Sequence, residues 1–282
     1  MKSLRSPKFS LSYEWFGVAP QFDPTFKFVT SPVFSPSVLG ALRLLLAVYT
    51  LVTTITVLAF ESVVYHDSKS FLSYFTDLSY IGLVAYFWAS SVQTIAFALR
   101  GQTGYPLQSW PRILQLLHVF LYSSIVVFPI IVTVVFWSLL ASPSTFQSRY
   151  SAWSNISQHA MNSGFALFEI LLTHAGPSPW SHLVPVFILL ACYLGVAYIT
   201  YATQGFYTYG FLNPAKEHGL LAAYIVGIAI GYCVVFTVVK GICLLRWRLS
   251  LRYSSEPDNS PPEALDEWQD VEQPKDSSVS EA

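Results

Sequence analysis

Apolar residues in this chain fall into long runs that are separated by short polar or proline-containing segments. Six of these runs are close to the ~20 residues that a helix needs to cross the hydrocarbon core of a bilayer. The predicted spans cover residues 38–60, 71–99, 113–141, 153–173, 182–203 and 220–245. Pro129 predicts a kink in the third span. The pattern therefore predicts an all-α fold, a polytopic membrane protein built as a six-transmembrane-helix bundle.

The predicted helices divide the chain into three parts. Residues 1–37 form an aromatic, polar-to-mixed segment that we expect in the cytosol or at the membrane interface, because aromatic rings favour the interface. Residues 38–247 form the six-helix transmembrane domain. Residues 248–282 form a cytosolic tail, which from Ser254 onward carries nine acidic residues and one lysine. That charge, together with several prolines, predicts a disordered tail.

Composition supports a membrane protein, and the charges indicate its orientation. The chain is 53% hydrophobic and 11% charged, whereas about a quarter of the residues of a soluble domain are charged. Lysine and arginine concentrate on the cytosolic side of a membrane protein. One set of span ends carries Lys2, Arg5, Lys8, Lys27, Arg100, Arg112, Arg246, Arg248 and Arg252, and the other set carries Lys69, Arg149 and Lys216. This asymmetry predicts that both termini are cytosolic.

The predicted fourth span, residues 153–173, carries polar side chains inside an apolar pattern. His159, Asn162 and Glu169 lie at helical offsets that place them on one face. Polar groups within a bilayer turn towards a bundle interior or a wet cavity. They either join helices by hydrogen bonds or belong to a functional site, and both interpretations remain open at this point.

Thr76 lies at a depth that matches His159. Each residue is about five positions inside its span, or ~8 Å from the same side of the membrane at 1.5 Å per residue. A hydroxyl nucleophile and its general base require such a match. The alternative for Thr76 is a hydroxyl that bonds back to its own helix or caps the start of that helix.

Four neighbouring polar residues are candidates to support this pair. Ser73 and Tyr80 share a helical face with the threonine and, like Asn162, could donate a hydrogen bond to a developing oxyanion. Asp77 follows the threonine directly. Either Asp77 or Asn162 is placed to orient the imidazole of the histidine.

Glu169 has a different interpretation. It lies ten residues beyond His159, which is ~15 Å along a helix and too far to orient the imidazole. Its depth matches Arg43 in the first span and Lys240 in the sixth. We therefore expect a structural ion pair of Glu169 with these cations.

Several other functions are not indicated by the sequence. There is no glycine-rich phosphate loop, zinc-binding helix motif or nucleophile elbow. Cys192, Cys233 and Cys243 have no paired spacing that suggests a metal site or a disulfide framework. We expect no metal, no cofactor and no nucleic-acid partner.

Three stretches resemble the androgen-induced-gene family of integral membrane proteins, in particular its fungal branch. They are SYFTDLSYIG at 73–82, SQHAMNSGFALFEILL at 157–172 and LGVAYITYATQGFYTYGFLNP at 194–214. The first contains the threonine that enters an early span, and the second contains the histidine with an acidic residue ten positions on. The resemblance covers roughly residues 38–247.

The resemblance implies a threonine hydrolase of the membrane interior that cleaves fatty acid esters of hydroxy fatty acids. Thr76 would be the nucleophile and His159 the base, the partners would be a lipid ester and the bilayer, and the location would be the endoplasmic reticulum or a similar endomembrane. Asp77 departs from the family pattern, in which asparagine is common. This leaves the charge state of position 77 open.

A non-enzymatic function is the alternative. The same polar face is compatible with a membrane protein that binds a lipid or a solute, or with a transporter. Transporters usually contain internal repeats. Residues 38–141 and 154–247 show no such repeat, which counts against transport.

The charge asymmetry leads to a topological prediction. A tag fused to the C-terminus should be digested when protease is added to sealed microsomes, because we expect the tail on the cytosolic side. A tag that stays protected until detergent is added would contradict this orientation.

Overall fold

The structure, a computed structural model, describes residues 12–253 of the 282-residue chain. Residues 1–11 and the tail from residue 254, which we predict to be disordered, lie outside the described residues. The described part contains nine α-helices and no strand. The helices are α1 Pro36–Val63, α2 Phe75–Leu99, α3 Arg112–Ile125, α4 Phe128–Val135, α5 Arg149–Ile156, α6 Asn162–Leu172, α7 Leu183–Gln204, α8 Pro214–Glu217 and α9 Leu220–Tyr253. The last of these continues past the predicted domain boundary at residue 247.

Two π-helical turns interrupt this α-helical pattern. One, Phe136–Leu140, follows α4 directly, and the other, Ser157–Met161, joins α5 to α6. The second turn makes Arg149–Leu172 a single uninterrupted helix. That helix contains most of the predicted fourth span.

Five helical stretches in the described residues are long and apolar enough to cross a membrane. They are Pro36–Val63, Phe75–Leu99, Arg112–Leu140, Trp180–Gln204 and Leu220–Ser250. The helix Arg149–Leu172 is not in this set, and its first half is rich in serine, asparagine, glutamine and histidine. The structure therefore supports an all-α, polytopic membrane protein.

The third of these stretches is broken near Pro129. α3 ends at Ile125, and α4 begins at Phe128 with the proline as its second residue. A proline ring clashes with the carbonyl four residues earlier and provides no N–H donor. The helix therefore stops at Ile125 and restarts in a new direction.

A buried ion pair joins three helices inside the bundle. Arg43 Nε and Nη2 donate to the two carboxylate oxygens of Glu169 at 2.8 and 2.7 Å, and neither side chain is exposed. The Tyr86 hydroxyl donates to the same carboxylate at 2.9 Å. Arg43 Nη1 donates to Thr94 Oγ1 and to the Phe28 carbonyl, both at 2.7 Å. This network connects α1, α2, α6 and the N-terminal segment.

Lys240, which we expected to share this ion pair, has other partners. Its Nζ donates to the Ser178 carbonyl at 3.0 Å and lies 5.0 Å from the centre of the Trp180 ring. The Glu169 carboxylate is taken by Arg43 and Tyr86 instead. Matching depth alone therefore did not identify the partner, because α9 presents Lys240 to the α6–α7 loop.

The N-terminal segment folds against one end of the bundle. Val18, Phe22 and Val29 are buried among residues of α2, α3 and the loop between them. Asp23 accepts hydrogen bonds from two backbone N–H groups, at 2.8 and 3.1 Å, and from the Tyr105 hydroxyl at 2.7 Å. We call this end, formed by residues 12–35, 100–112, 173–179 and 240–250, the N-terminal face.

The ion pair gives a stability prediction. Glu169→Gln leaves the Arg43 charge buried without its counter-ion, and the free energy of unfolding should fall by about 3–5 kcal/mol. Thermal unfolding of the purified protein in detergent measures this.

Glu217→Gln is the matched control for this substitution. Glu217 pairs with Lys216 at 4.0 Å, and their side chains are 14% and 70% exposed. Because the Lys216 charge stays hydrated when Glu217 is neutralised, the loss of this pair should cost less than about 1 kcal/mol. Equal midpoints for the two variants would show that the buried pair does not stabilise the bundle.

Candidate functional site

A cavity of about 270 Å³ lies between α4, α7 and α9 and reaches the first residues of α2. Leucine, isoleucine, valine, alanine and phenylalanine form most of its wall. Among the described lining residues, four carry a polar side-chain atom: Thr76, Tyr193, Tyr209 and Tyr232. An apolar cavity with a few convergent polar groups suits a largely hydrocarbon ligand.

Thr76 lies in the first turn of α2, where backbone N–H groups have no partner within the helix. The Tyr209 hydroxyl accepts the Phe75 N–H at 3.1 Å and also interacts with the backbone N–H and the side chain of Thr76. Thr76 is half-buried and lines the cavity. The candidate nucleophile therefore has helix-terminal N–H donors and a phenol beside it.

His159 lies in the middle of the π-turn Ser157–Met161 and is 8% exposed. Its ring stacks face to face on Phe136, with centroids 3.6 Å apart and planes 3° apart. Its carbonyl accepts a hydrogen bond from Trp137 Nε1 at 2.8 Å. Phe136 lines the cavity, and His159 itself is not among the described lining residues.

A hydrogen bond fixes the start of α2 beside the π-turn. Gln158 Nε2 donates to Asp77 Oδ1 at 2.8 Å. Thr76 precedes Asp77, and His159 follows Gln158, so both candidates are next to the bonded residues in sequence. The two stretches thus meet at the same level of the bundle.

The imidazole is not oriented as we expected. His159 Nδ1 is buried and has no hydrogen-bond partner in the part of the chain that the structure describes. Asp77 is bonded to Gln158, and the Asn162 carboxamide oxygen accepts from Thr133 Oγ1 at 3.0 Å. Aromatic stacking on Phe136 is what holds the ring in place.

Ser73 and Tyr80 serve other contacts. Ser73 Oγ accepts from Thr200 Oγ1 at 2.9 Å, and the Ser73 carbonyl accepts from the Tyr193 hydroxyl at 3.1 Å, so Ser73 attaches α7 to the start of α2. The Tyr80 hydroxyl is buried near Thr53 without a well-formed hydrogen bond to any described residue. Neither residue lines the cavity that Thr76 reaches.

Gln158, Phe136 and Tyr209 are contributors that the sequence did not single out. Gln158 is adjacent to the candidate base, and its polarity inside a span was an available signal. Tyr209 lies in the loop after α7, within the stretch 194–214 that carries the family resemblance. Phe136 gave no signal, because one more phenylalanine in an apolar span is indistinguishable from packing.

Among residues 12–253, no group of three or more histidine, cysteine, aspartate or glutamate side chains is arranged to hold a metal ion. The site is built from a hydroxyl, an imidazole, a carboxyl group, phenols and backbone amides.

The fold and this cavity define a helical membrane protein with a polar group at the start of an early span. A family model described as FAR-17a/AIG1-like protein matches residues 42–241. The chain belongs to this family, which is the androgen-induced-gene family that the sequence resembles. Searches of the curated proteins and of the solved structures each found no match.

The contact between α2 and the π-turn gives a prediction about Asp77. Asp77→Asn keeps an oxygen acceptor for Gln158, so the unfolding midpoint should stay close to that of the unaltered protein. Asp77→Leu leaves the buried Gln158 amide unsatisfied and should cost about 1–3 kcal/mol. Thermal unfolding of both variants tests this, and an asparagine variant as unstable as the leucine variant would contradict it.

Proposed function

We propose that this protein is an intramembrane lipid ester hydrolase with Thr76 as nucleophile and His159 as general base. The observation that carries the proposal is that Thr76 lines an apolar cavity. The Asp77–Gln158 hydrogen bond joins the start of α2, which holds Thr76, to the π-turn that contains His159. Family membership supports it. The substrate class that we propose, from the family resemblance, is fatty acid esters of hydroxy fatty acids.

The first step would form an acyl-enzyme. Thr76 Oγ1 attacks the ester carbonyl while His159 accepts the hydroxyl proton, and the C–O bond to the leaving hydroxy fatty acid breaks as His159 returns that proton. Water then attacks the acyl-threonine with the same base, which releases the fatty acid and restores the threonine. The apolar cavity would hold the hydrocarbon chain.

Negative charge would develop on the carbonyl oxygen next to Thr76. The candidate donors to that oxygen are the Tyr209 hydroxyl and the N–H groups in the first turn of α2, of which that of Phe75 already donates to Tyr209. This assignment replaces Ser73 and Tyr80, whose hydroxyl groups do not line the cavity. Asn162 is engaged with Thr133.

Proton transfer requires contact between the Thr76 hydroxyl and the His159 imidazole, directly or through one water. No hydrogen bond joins the Thr76 hydroxyl to His159 within the described residues. Catalytic hydrogen bonds often tighten only in the substrate complex, or pass through one water. The unpartnered Nδ1 is consistent with an imidazole that is not committed to another group.

We also propose that the chain crosses the membrane six times, with both termini in the cytosol of an endomembrane such as the endoplasmic reticulum. Ser31 and Arg246 both bond to the end of α6, at the carbonyls of Leu172 and Ile170. The segment before α1 and the last part of α9 therefore meet at one end of α6, which supports an even number of crossings. Arg149–Leu172 is the helix that adds a sixth crossing to the five apolar ones.

A lipid-binding or solute-transporting protein without catalysis is the second candidate. The cavity supports it, because an apolar volume serves lipid binding as well as hydrolysis. A fluorophosphonate-type acylating probe distinguishes the two. Specific labelling of Thr76 supports the enzyme, and no labelling under any lipid condition supports binding or transport.

The dyad gives the main functional prediction. Thr76→Ala and His159→Ala should each lower ester hydrolysis at least ~100-fold, because one removes the attacking oxygen and the other the proton acceptor. The double variant should be no worse than either single variant, since the residues act as a unit. Thr76→Ser should retain partial activity because it keeps the hydroxyl group.

Matched controls are available on exposed positions. Thr237→Ala removes a hydroxyl that bonds only to its own helix, and His66→Ala removes a loop imidazole. The rate at which each purified variant hydrolyses a model lipid ester measures the loss of activity. Size-exclusion chromatography in detergent checks that each variant is folded and monodisperse. Full activity in a well-folded Thr76→Ala variant would end the threonine mechanism.

A further inference from the structure

A second cavity, of about 530 Å³, lies at the N-terminal face, where α6 and α9 meet the N-terminal segment. Leu171, Ile242, Leu245 and Leu249 provide its apolar wall, and Arg246 and Ser250 provide its polar groups. Its lining shares no residue with the cavity at Thr76. It is therefore a separate site that the proposed hydrolysis does not use.

Two adjacent rows of α9 give this cavity its amphipathic character. Leu245 and Leu249 are four residues apart and share one row, and Arg246 and Ser250 share the next. Apolar and polar surfaces thus lie side by side along the cavity. A ligand that matches both needs a hydrocarbon portion and a polar, anionic portion.

The charge of Arg246 is only partly compensated. Its Nη1 donates to the Ile170 carbonyl and its Nη2 to the Ala175 carbonyl, the latter at 2.7 Å. Its Nε is buried without a partner, and no carboxylate within the described residues forms a salt bridge with it. Capping the end of α6 explains two hydrogen bonds, but the end of a helix offsets only about half a unit charge.

Other charges at the N-terminal face increase this imbalance. With the Arg43–Glu169 pair set aside, the described acidic residues there are Glu14 and Asp23, and the described basic residues are Lys27, Arg100, Arg112, Lys240, Arg246 and Arg248. Asp23 is already bonded to backbone N–H groups and to Tyr105. The described residues of this face therefore carry a net positive formal charge, and the apolar wall of the cavity lies among them.

We propose that this cavity binds a phospholipid with a net negative headgroup. The headgroup would lie against Arg246 and Ser250, and an acyl chain would cover Leu171, Ile242, Leu245 and Leu249. An acidic peptide, including the chain's own tail, would satisfy the charge but would leave the apolar wall uncovered. Binding would stabilise the junction of α6, α9 and the N-terminal segment, since Arg246 holds the end of α6.

The test compares two lipids on the purified full-length protein. Native mass spectrometry with dioleoyl phosphatidylserine or dioleoyl phosphatidylcholine gives the dissociation constant of each. We expect the anionic lipid to bind at least about tenfold more tightly, which corresponds to about 1.4 kcal/mol, less than the usual value of one hydrogen bond to a charged group. Equal constants would overturn the proposal.

Four variants distinguish binding of the lipid in this cavity from non-specific attraction of an anionic lipid to a basic surface. Arg246→Gln removes the charge and Leu245→Trp fills the apolar part, so each should weaken phosphatidylserine binding about tenfold or more. The controls are Arg248→Gln and Leu244→Trp, which alter exposed neighbours on α9 that do not line the cavity. Loss in the controls equal to that in the test pair would indicate diffuse electrostatics. Because Leu245 is 57% exposed, its variant remains informative even if Arg246→Gln fails to fold.

Two further measurements test whether free phosphate or the chain's own acidic tail occupies the cavity instead. Inorganic phosphate at millimolar concentration should not displace phosphatidylserine, because it cannot cover the apolar wall, and displacement would overturn a lipid site. A full-length variant with amides in place of the tail carboxylates should bind phosphatidylserine as the unaltered chain does. Binding that appears only in that variant would identify the tail as the occupant and overturn the proposal.

Discussion

The bundle depends on the burial of one positive and one negative charge between its helices. Neither Arg43 nor Glu169 is exposed to solvent, and desolvation of each would be prohibitive without the other. The carboxylate therefore needs Arg43, and the remaining donors of Arg43 need Thr94 and the Phe28 carbonyl. This chain of requirements fixes the rotation of α6 relative to α1 and α2 and draws the N-terminal segment onto the bundle.

The candidate site inherits its geometry from that constraint. Glu169 and His159 belong to one continuous helix. The ion pair fixes the C-terminal end of this helix, which contains Glu169, and therefore also limits where the π-turn with His159 lies. The Gln158–Asp77 hydrogen bond then fixes the level at which that helix meets α2. The stretches that contain Thr76 and His159 are thus joined by a contact that involves neither residue.

Sequence reasoning succeeded for features that depend only on position along the chain, such as the length of a span or the site of a break. The thickness of the bilayer determines the length of apolar runs, so five of the predicted spans coincide with apolar helices, and Pro129 marked the break between α3 and α4. It failed where direction around a helix decides. Depth in the membrane made Arg43 and Lys240 equally suitable partners for Glu169, but the rotation of α9 directs Lys240 to the Ser178 carbonyl. Helical offsets suggested Asn162 as a partner for His159, but the Asn162 carboxamide accepts from Thr133 instead. Tyr209 depends on how a loop folds back over α2, which periodicity does not describe.

The π-turn at Ser157–Met161 makes the direction of the side chains in the first half of its helix independent of the direction in the second half. A π-turn holds one residue more than an α-turn, and each residue of an α-helix advances by about 100°. Deleting a single residue there would restore regular geometry and rotate His159 away from Phe136, while Glu169 stayed with Arg43. A change of one residue in the length of this turn would therefore re-aim the histidine without disturbing the Arg43–Glu169 ion pair.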